Sequence, residues 1–429
     1  MRVAVLGTGL IGQMMVRELA RSTTFDEVIA VDARADRALA AAADARAAAD
    51  GEAAATGADA VAKSAPSMGP DSRTAERDVA DGRNSRRPAV RAVAADLSSY
   101  DEMAALLRDV DIAIAALPDS LSFLANQAAI KAGCHLIDLV GAEYPEKLAA
   151  LDVPAKKAGV LVLTGCGVAP GIANVLAARG VELLDEADEV IIYCGGLPRY
   201  PRPPLMYRQV FSLEGLMGLY TRPVYVVEDG RLVELPPMSG LEECLFPDPV
   251  GACEAAYSDA HTVPYILRDK VKRLAEKTVR YRGHFAKMKV LKELGFLDDR
   301  PVSVDGQAVR PLALTMSLLE PLIQGESRED VTVLRVVATG KRHGVTVRHT
   351  WQMMDYYDPS TGYTSMARTT GYPPVIAAEW LAAGELSERG FLAPEQVLAG
   401  DRFEPFLAAL AQRGITFEYS CEPVSGDGS

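Results

Sequence analysis

The sequence predicts an α/β protein with an N-terminal doubly wound parallel sheet followed by an α+β region built on a mixed sheet. Two observations predict this fold class. Up to residue 163, short apolar strands alternate with helix-forming segments. From residue 188 to about residue 360, segments such as 331–337 and 344–351 alternate apolar and polar residues, as strands with one buried face do.

The predicted parallel sheet is assembled from repeated βα units. Its first strand is expected around Val3 and Val5, and the others at 27–31, 89–93, 110–117, 134–139 and 160–163, with helices at 13–22, 99–107 and 121–132. In doubly wound sheets, ligands bind outside the carboxyl ends of the strands. The residues that follow each strand are therefore candidates for a binding site.

The first strand ends in a glycine turn with the spacing G-x-G-x-x-G, formed by Gly7, Gly9 and Gly12. A strand before this turn and a helix after it favour a dinucleotide site, with the pyrophosphate at the helix N-terminus. Leu10 and Ile11, inside the turn, are included among the cofactor contacts. A glycine turn of some other α/β fold is the alternative.

The second strand ends in Asp32, about twenty residues after Gly12, as the dinucleotide fingerprint requires. A carboxylate here accepts hydrogen bonds from the adenine ribose and repels a 2′-phosphate. NAD is therefore expected as the cofactor. NADP is the alternative, because Arg34 is close enough in sequence to meet a 2′-phosphate.

Further cofactor contacts are predicted at other strand ends and at a second glycine-rich turn. These candidates are Asp96, Leu117, Pro118, Gly167, Val168, Pro170 and Gly171. Glycines at a strand-to-helix turn can expose backbone N–H groups to an anion or to the nicotinamide side of a cofactor. Residues 370–374 are expected to break the chain before a helix at 375–383, whose N-terminus is a third candidate anion site.

The composition indicates an acidic chain with more than one domain. Its 429 residues suggest two domains, or two with an insertion, and 49% hydrophobic residues can fill sizeable cores. The formal net charge of -13 argues against nucleic acid or an anionic membrane surface as the main partner, because both would repel the protein. An enzyme with a small-molecule substrate is expected.

The sequence also indicates the compartment. The chain enters a strand at its N-terminus, without the charged and apolar regions of a signal peptide, and no apolar run is long enough to span a bilayer. The six cysteines lack C-x-x-C spacing, which indicates neither a zinc site nor a disulfide framework, so no metal is expected. These observations favour the cytoplasm.

Residues 35–87 lose the apolar pattern and are rich in alanine, arginine, aspartate, glycine and serine. The first part can extend a surface helix, but a segment with so little to bury cannot offset its ordering entropy. Residues 51–87 are therefore predicted to be a mobile insertion. A tolerated loop insertion is preferred over a regulatory or partner-binding segment, because loops accept added length at low cost.

Three further motifs carry a resemblance to a known family. They are G-V-A-P-G at 167–171, Y-C-G-G-L-P at 193–198 and T-V-R-Y-R-G-H at 278–284. In this order they resemble the saccharopine dehydrogenase (glutamate-forming) family. Within it, the chain is most similar to lysine 6-dehydrogenases, on residues 203–215, the Y-R-G-H version of the arginine motif, and M-A-R-T-T-G-Y at 366–372.

The resemblance implies a Rossmann domain completed by the C-terminal segment, with the substrate domain inserted between. The expected boundaries are 1–165 for the NAD-binding domain, 166–360 for the substrate and dimerisation domain, and 361–429 for the return to the first domain. It also implies a homo-oligomer, a homodimer or larger, assembled through the substrate domain. The glutamate-forming relatives carry an acid where this chain has Ala169, a difference that disfavours saccharopine as the substrate.

Arg280 and Arg282 are the candidates for binding the substrate carboxylate, since a guanidinium forms a bidentate pair with it. On a strand the two arginines would share a face, and Arg280 is preferred. The alternative is that this face is solvated. Asp259 and His261 are candidates for contacting the substrate's α-amino group, with ordinary loop residues as the alternative.

Four residues are candidates for direct participation in the chemistry. Glu143 and Tyr144 follow the strand that ends near the expected nicotinamide position, where either could meet the substrate amine. His284 titrates near neutral pH and is a candidate proton carrier, with a structural histidine as the alternative. Cys194 matches a cysteine of the family motif, with simple packing as the alternative.

The predicted activity is the NAD-dependent oxidation of L-lysine at its ε-amine, giving the semialdehyde or its cyclic imine, ammonia and NADH. Saccharopine dehydrogenase (glutamate-forming) and a carboxynorspermidine-type dehydrogenase are the alternative enzymes. An NAD(H)-binding sensor without turnover is the alternative outside enzymes, although the arginine motif has no use in such a protein.

Overall fold

The computed structural model describes residues 1–62, 87–141, 145–210, 212–324 and 327–424. Strands and helices alternate in its first part, close to the predicted positions. They are β1 (Arg2–Leu6), α1 (Leu10–Leu19), β2 (Glu27–Asp32), α2 (Ala35–Ala62), β3 (Ala89–Ala94), α3 (Tyr100–Leu107), β4 (Ile112–Ala115), α4 (Asp119–Ala132), β5 (His135–Asp138), α5 (Pro145–Ala158) and β6 (Leu161–Leu163).

The rest of the chain is richer in strands. Its elements are α6 (Ile172–Glu182), β7 (Glu186–Pro198), α7 (Leu213–Thr221), β8 (Val224–Glu228), β9 (Arg231–Leu235), β10 (Glu242–Leu245), β11 (Ala252–Ser258), α8 (Val263–Leu267), β12 (Val271–Tyr281), α9 (His284–Glu293), β13 (Val302–Val304), β14 (Gln307–Val309), α10 (Pro311–Gln324), β15 (Asp330–Arg342), β16 (Val345–Tyr356), α11 (Ser365–Ala383), β17 (Gly390–Leu392), α12 (Pro394–Val397), α13 (Phe403–Gln412) and β18 (Glu418–Pro423).

The first sheet is parallel and has the strand order β17-β6-β5-β4-β1-β2-β3. Strands β1 and β4 are buried almost throughout, because helices cover both faces of the sheet. The order reverses beside β1, since β2 lies on one side of it and β4 on the other. This reversal opens a crevice at the carboxyl ends of β1 and β4, where doubly wound proteins bind their ligands.

The second sheet is mixed and has the order β10-β11-β12-β7-β15-β16-β18, with β8 and β9 attached beside β12. Strand β12 lies between β11, which is antiparallel to it, and β7, which is parallel. The predicted α/β fold class, a Rossmann-type parallel sheet with a second mixed sheet, is confirmed. The C-terminal segment contributes to both sheets, since β17 pairs with β6 and β18 pairs with β16.

One hydrophobic core joins the two sheets. It contains Ile114 of β4, Leu176 of α6, Ile192 of β7, Val336 of β15 and Ile376 of α11, all fully buried. One face of the mixed sheet therefore packs toward the parallel sheet. Side chains on that face, at the level of the crevice, are positioned to meet a ligand held by both parts.

Helix α11 differs from its prediction. It begins at Ser365, ten residues before the predicted start, and passes through Pro373 and Pro374 without ending. Its N-terminus is held by protein groups, because the Asp330 carboxylate accepts hydrogen bonds from the N–H groups of Ser365 (2.6 Å) and Met366 (2.9 Å). The anion site predicted at residue 375 is therefore wrong, since that position lies inside a helix.

Helix α2 runs to Ala62, past the predicted start of the insertion. Residues 63–86, which form most of the predicted insertion, lie outside the described residues. Among the helices that the structure describes, none is both long and apolar enough to cross a membrane.

Candidate active site

The first glycine turn lies at the crevice, and its glycines differ in what surrounds them. A Cβ on Gly12 would collide with the carbonyl oxygen of Gly7, so Gly12 permits the strand and α1 to pack closely. A Cβ on Gly9 would meet nothing within 4 Å. Gly9 therefore borders open space immediately before the N-terminus of α1, where a pyrophosphate can approach the backbone. Leu10 and Ile11 form the first turn of that helix.

Asp32 ends β2 beside the same turn. Its carboxylate accepts hydrogen bonds from the N–H (2.8 Å) and hydroxyl (3.0 Å) of Thr8 and from the N–H of Arg34 (2.9 Å). The Arg34 guanidinium is exposed and pairs with Asp36 (2.6 Å). This arrangement fits a dinucleotide whose adenine ribose lies against the Asp32 carboxylate.

The other residues predicted to contact the cofactor from strand ends are found around the crevice. Leu117 lies against the glycine turn, with its Cδ2 atom 3.3 Å from the position that a Cβ on Gly7 would take. Pro118 is the N-cap of α4. Asp96 is exposed beyond β3, and hydrogen bonds from Ser98 lower the pKa of its carboxyl group.

The second glycine turn is closed by its own hydrogen bonds. The N–H of Gly167 donates to the Pro170 carbonyl (2.8 Å), and the N–H of Gly171 donates to Asn174 Oδ1 (3.1 Å). The N–H groups of the next two residues donate to the carbonyls of Gly167 and Val168. These four N–H groups are not free for an anion, so a cofactor would contact this turn through its surface.

The mixed sheet turns toward the parallel sheet the face that carries Glu276, Thr278 and Arg280 of β12. All three are less than 10% exposed. Ser258 and Glu254 of β11 stand directly opposite Glu276 and Arg280, and Cys194 of β7 stands opposite Thr278. Directly opposite residues point to the same side of a sheet, so these polar groups share one face.

Arg280 is 2% exposed. Its guanidinium Nη1 donates to the Val279 carbonyl (2.7 Å), and the Cζ atom lies 4.9 Å from the centre of the Tyr207 ring. Glu254, opposite, is occupied by the N–H groups of Gly283 (3.0 Å) and Phe285 (2.7 Å). Among the described residues, no carboxylate pairs with Arg280 and its Nε atom has no hydrogen-bond partner. A buried cation of this kind is suited to a ligand carboxylate.

Arg282 lies elsewhere. Strand β12 ends at Tyr281, so the chain has already turned at Arg282, whose exposed side chain pairs with Glu243 (2.6 Å). The expectation that the two arginines share a strand face is wrong, because the strand stops between them. The structure therefore separates a buried arginine from a surface arginine.

His284 is buried, and both of its ring nitrogens are engaged. Nδ1 lies 2.9 Å from the Leu205 carbonyl oxygen and Nε2 lies 2.8 Å from the Tyr220 hydroxyl. Burial, with a smaller contribution from the charge of Arg280, lowers the pKa of His284 to about 3. This neutral histidine, held at both nitrogens, packs against the rings of Tyr207 and Tyr220, and the Tyr207 ring in turn contacts Arg280.

The remaining predicted residues fall on both sides of the crevice. Burial raises the pKa of the Cys194 thiol well above its usual range, so the thiol is neutral on the shared face. His261 lies against Gly141, just beyond β5, and its Nδ1 atom is 3.7 Å from Asp259 Oδ2. Asp259 also accepts the N–H of His261 (2.9 Å). Glu143 and Tyr144 lie outside the described residues.

Several buried polar groups of this region were not among the predicted residues. Within the described part of the chain, atoms without a hydrogen-bond partner include Ser258 Oγ, Glu276 Oε2, Tyr207 Oη and Thr332 Oγ1. For Glu276, the alternation Glu276-Thr278-Arg280, which places three polar residues on one face of β12, is the sequence signal that could have revealed it. The described residues contain no cluster of histidine, cysteine, aspartate and glutamate side chains suited to a metal ion.

Two protein families match this chain. The Saccharopine dehydrogenase NADP binding domain matches residues 3–163, and the Saccharopine dehydrogenase C-terminal domain matches residues 167–415, more than half of the chain. The chain belongs to the saccharopine dehydrogenase family. The family resemblance seen in the sequence is thereby confirmed.

Individual members of the saccharopine dehydrogenase family are distant relatives. The chain is 24% identical over 413 residues to saccharopine dehydrogenase (NADP(+), L-glutamate-forming) of Schizosaccharomyces pombe, covering 77% of this chain and 88% of that protein. It is 24% identical over 360 residues to carboxynorspermidine synthase of Vibrio alginolyticus, covering 76% and 81%.

The fold of the saccharopine dehydrogenase family is also seen in a solved structure. Apo saccharopine dehydrogenase (L-Glu forming) from Saccharomyces cerevisiae has a TM-score of 0.73 and 19% identity, covering 99% of this chain and 100% of that one. As a family member, the protein is an NAD(P)-dependent oxidoreductase acting on CH–NH or CH–NH2 donors.

Proposed function

We propose that the enzyme oxidises the terminal amine of L-lysine with NAD, giving an aldehyde that can cyclise, ammonia and NADH. The observation that carries this proposal is Arg280, a buried guanidinium with no carboxylate partner among the described residues. Binding the substrate's α-carboxylate would neutralise the arginine and anchor the molecule away from its reacting end.

The charges around Arg280 support a diamino acid. On the shared face and its margin, the described acidic residues are Glu254, opposite Arg280, Glu276, and Asp259, whose charge acts on Glu276. This excess of carboxylates over the one cation favours a substrate such as lysine, which has one carboxylate and two amino groups. Saccharopine has three carboxylates, and two of them would face this acidic region without a matching cation.

The reaction needs little chemistry from the protein. The cofactor supplies the hydride acceptor, and the protein must hold the ε-carbon, remove a proton from the amine and limit water. Loss of a hydride and a proton from the CH–NH2 group leaves a C=N bond, and addition of water releases ammonia and the aldehyde. The burial of the Glu276 to Arg280 face supports a site with little water.

NAD is proposed on the position of Asp32. The names of the matched nucleotide-binding family and of the Schizosaccharomyces pombe relative carry NADP. In this chain a buried carboxylate ends β2, and the guanidinium of Arg34, two residues further on, is paired with Asp36. A 2′-phosphate would meet the negative charge of Asp32, and Arg34 would have to leave its partner to reach it.

Purified enzyme is expected to reduce NAD when L-lysine is the only added amine, measured as NADH absorbance. Ammonia should form in equal amount, because each hydride transfer leads to one hydrolysis. The comparison set contains saccharopine, a carboxyalkyl polyamine and norleucine, which lacks the terminal amine.

Reduction with saccharopine but not with lysine would overturn the proposed substrate and favour the glutamate-forming reaction. Tight NADH binding without turnover of any amine in the set would favour a cofactor-binding sensor. If saccharopine is the substrate, the role of Arg280 as a carboxylate ligand can still be tested, by replacing Arg280 and measuring the turnover of saccharopine.

We also propose a homo-oligomer in the cytoplasm. Leu314, Leu318 and Leu322 of α10 are 45%, 61% and 63% exposed and form a stripe along one helix face, which supports a contact between subunits. A monomeric mass by light scattering would contradict the oligomer.

The cysteines support the proposed cytoplasmic location. The described cysteines are free thiols, which supports a reducing compartment.

A further inference from the structure

Glu276 is a buried carboxylate that the fold does not use. Glu276 is 5% exposed, and its Oε2 atom has no hydrogen-bond partner among the described residues. Ser258, 1% exposed and directly opposite on β11, also has an unpartnered hydroxyl. Two adjacent buried polar groups without hydrogen-bond partners destabilise the folded protein. A polar ligand that bonds to both would remove this destabilisation.

Other carboxylates of the same sheet are satisfied by the protein. Glu254 accepts two backbone N–H groups at the start of α9. Glu242, on the opposite face, pairs with Lys277 (2.6 Å) and accepts the Tyr193 hydroxyl (2.7 Å). Glu276 therefore differs from its neighbours in having no structural partner within the described part of the chain.

Glu276 lies near the loop through which the mixed sheet contacts the cofactor side of the crevice. Ser258 ends β11, and the chain continues through Asp259 to His261, whose ring lies against Gly141 beyond β5. The carboxyl ends of β4 and β5 are the edge at which a nicotinamide is held in doubly wound proteins. A group bound between Glu276 and this loop is therefore close to the reacting end of the cofactor.

The spacing between Glu276 and Arg280 matches the two ends of the proposed substrate. Four residues along a strand separate their Cα atoms by about 13 Å. A substrate whose carboxylate and terminal amine are joined through the α-carbon and four methylene groups, with one hydrogen-bond distance at each end, spans a similar length. If Arg280 binds the carboxylate, Glu276 is on the side of the amine.

We propose that Glu276, positioned beside Ser258, binds the reacting ammonium group of the substrate and accepts its proton before hydride transfer. An N–H bond of the ammonium breaks, its electron pair stays on nitrogen, and the proton forms an O–H bond with the Glu276 carboxylate. The neutral amine can then donate electron density as the neighbouring carbon loses a hydride. This role rests on the proposed amine oxidation.

The electrostatics of the site are consistent with that role. Burial, and then the negative charge of Asp259, raises the pKa of Glu276 to about 8. Among the described residues, the other ionisable groups on this face near Glu276 include the Cys194 thiol of β7, which burial keeps neutral, and Arg280 on its own strand. An ammonium bound to the carboxylate stabilises its charged form, and a base with a pKa near neutrality suits proton transfer.

The test is the pH dependence of amine oxidation by Glu276→Gln. At pH 7 the variant is expected to lose about 100-fold or more in kcat, the usual effect of removing a general base. The loss should shrink at high pH, because the acid limb moves toward the pKa of a free alkylammonium, about 10.4. Glu276→Asp should recover part of the activity and keep the acid limb near its original position.

Glu242→Gln is the matched control, since it removes a carboxylate from the opposite face of the same sheet and should leave the pH profile unchanged. Thermal melting and NADH binding establish that each variant is folded. A uniform loss by Glu276→Gln at all pH values, or a loss in Glu242→Gln of equal size and pH dependence, would overturn the proposal.

The amine used in this test is whichever one the wild type oxidises. If the wild type oxidises saccharopine and not lysine, the proposed substrate is wrong, but the secondary amine of saccharopine must also lose a proton. The pH profile of Glu276→Gln with saccharopine then decides the role of this residue separately.

Discussion

Arg280→Ala is expected to lower kcat/KM for lysine about 30- to 1000-fold, mainly through a higher KM. A guanidinium paired with a carboxylate in a partly dry site contributes on the order of 2 to 4 kcal/mol. Arg280 is buried and has no other carboxylate partner in the described structure, so the substrate would be its counter-ion. The measurement is steady-state kinetics with NAD held at saturation.

Arg280→Lys is expected to recover only part of this loss, because lysine keeps the charge but not the planar fork. Arg282→Ala is the matched control, since Arg282 pairs with Glu243 at the surface and should change kcat/KM little. Unchanged lysine turnover by folded Arg280→Ala would place the carboxylate ligand elsewhere and remove the main support for the proposed substrate.

The second large effect is the preference for NAD, expected to be about 30- to 1000-fold in kcat/KM over NADP. A cofactor with a 2′-phosphate loses the hydrogen bonds between its ribose and Asp32, and its phosphate is repelled by the Asp32 carboxylate. Asp32→Asn should lower the ratio of kcat/KM with NAD to kcat/KM with NADP by about tenfold or more. The amide oxygen of the asparagine still accepts a hydrogen bond from Thr8, but the negative charge is gone.

Asp36→Asn is the informative comparison, since it releases the neighbouring Arg34 guanidinium from its exposed ion pair. Improved use of NADP by this variant would show that Arg34 reaches the 2′-position. Equal efficiency of the wild type with both cofactors would contradict the assignment of NAD.

The parallel sheet could be predicted from the sequence because its signals are local. Buried strands such as β1 and β4 are continuous apolar runs, and Gly7, Gly9 and Gly12 mark the turn between one strand and its helix. Helix α11 was misplaced because Pro373 and Pro374 normally end helices. The carboxylate that holds its N-terminus comes from Asp330, far away in sequence.

The site was predicted in part. Arg280 was identified by a motif, but whether it or Arg282 points inward depended on where β12 ends, which periodicity does not determine to one residue. Glu276 and Ser258 were missed because their significance lies in the absence of partners among the described groups. That property emerges only when β11 and β12 are paired.

The core that joins the two sheets restricts how any ligand can reach the buried Arg280. Side chains of α6 and α11 and of strands from both sheets belong to this one core. Swinging one sheet away from the other as a rigid body would expose this apolar surface, at roughly 25 cal/mol for each square ångström. Ligand exchange is therefore expected to depend on local movement of side chains around the crevice, while the two sheets stay together.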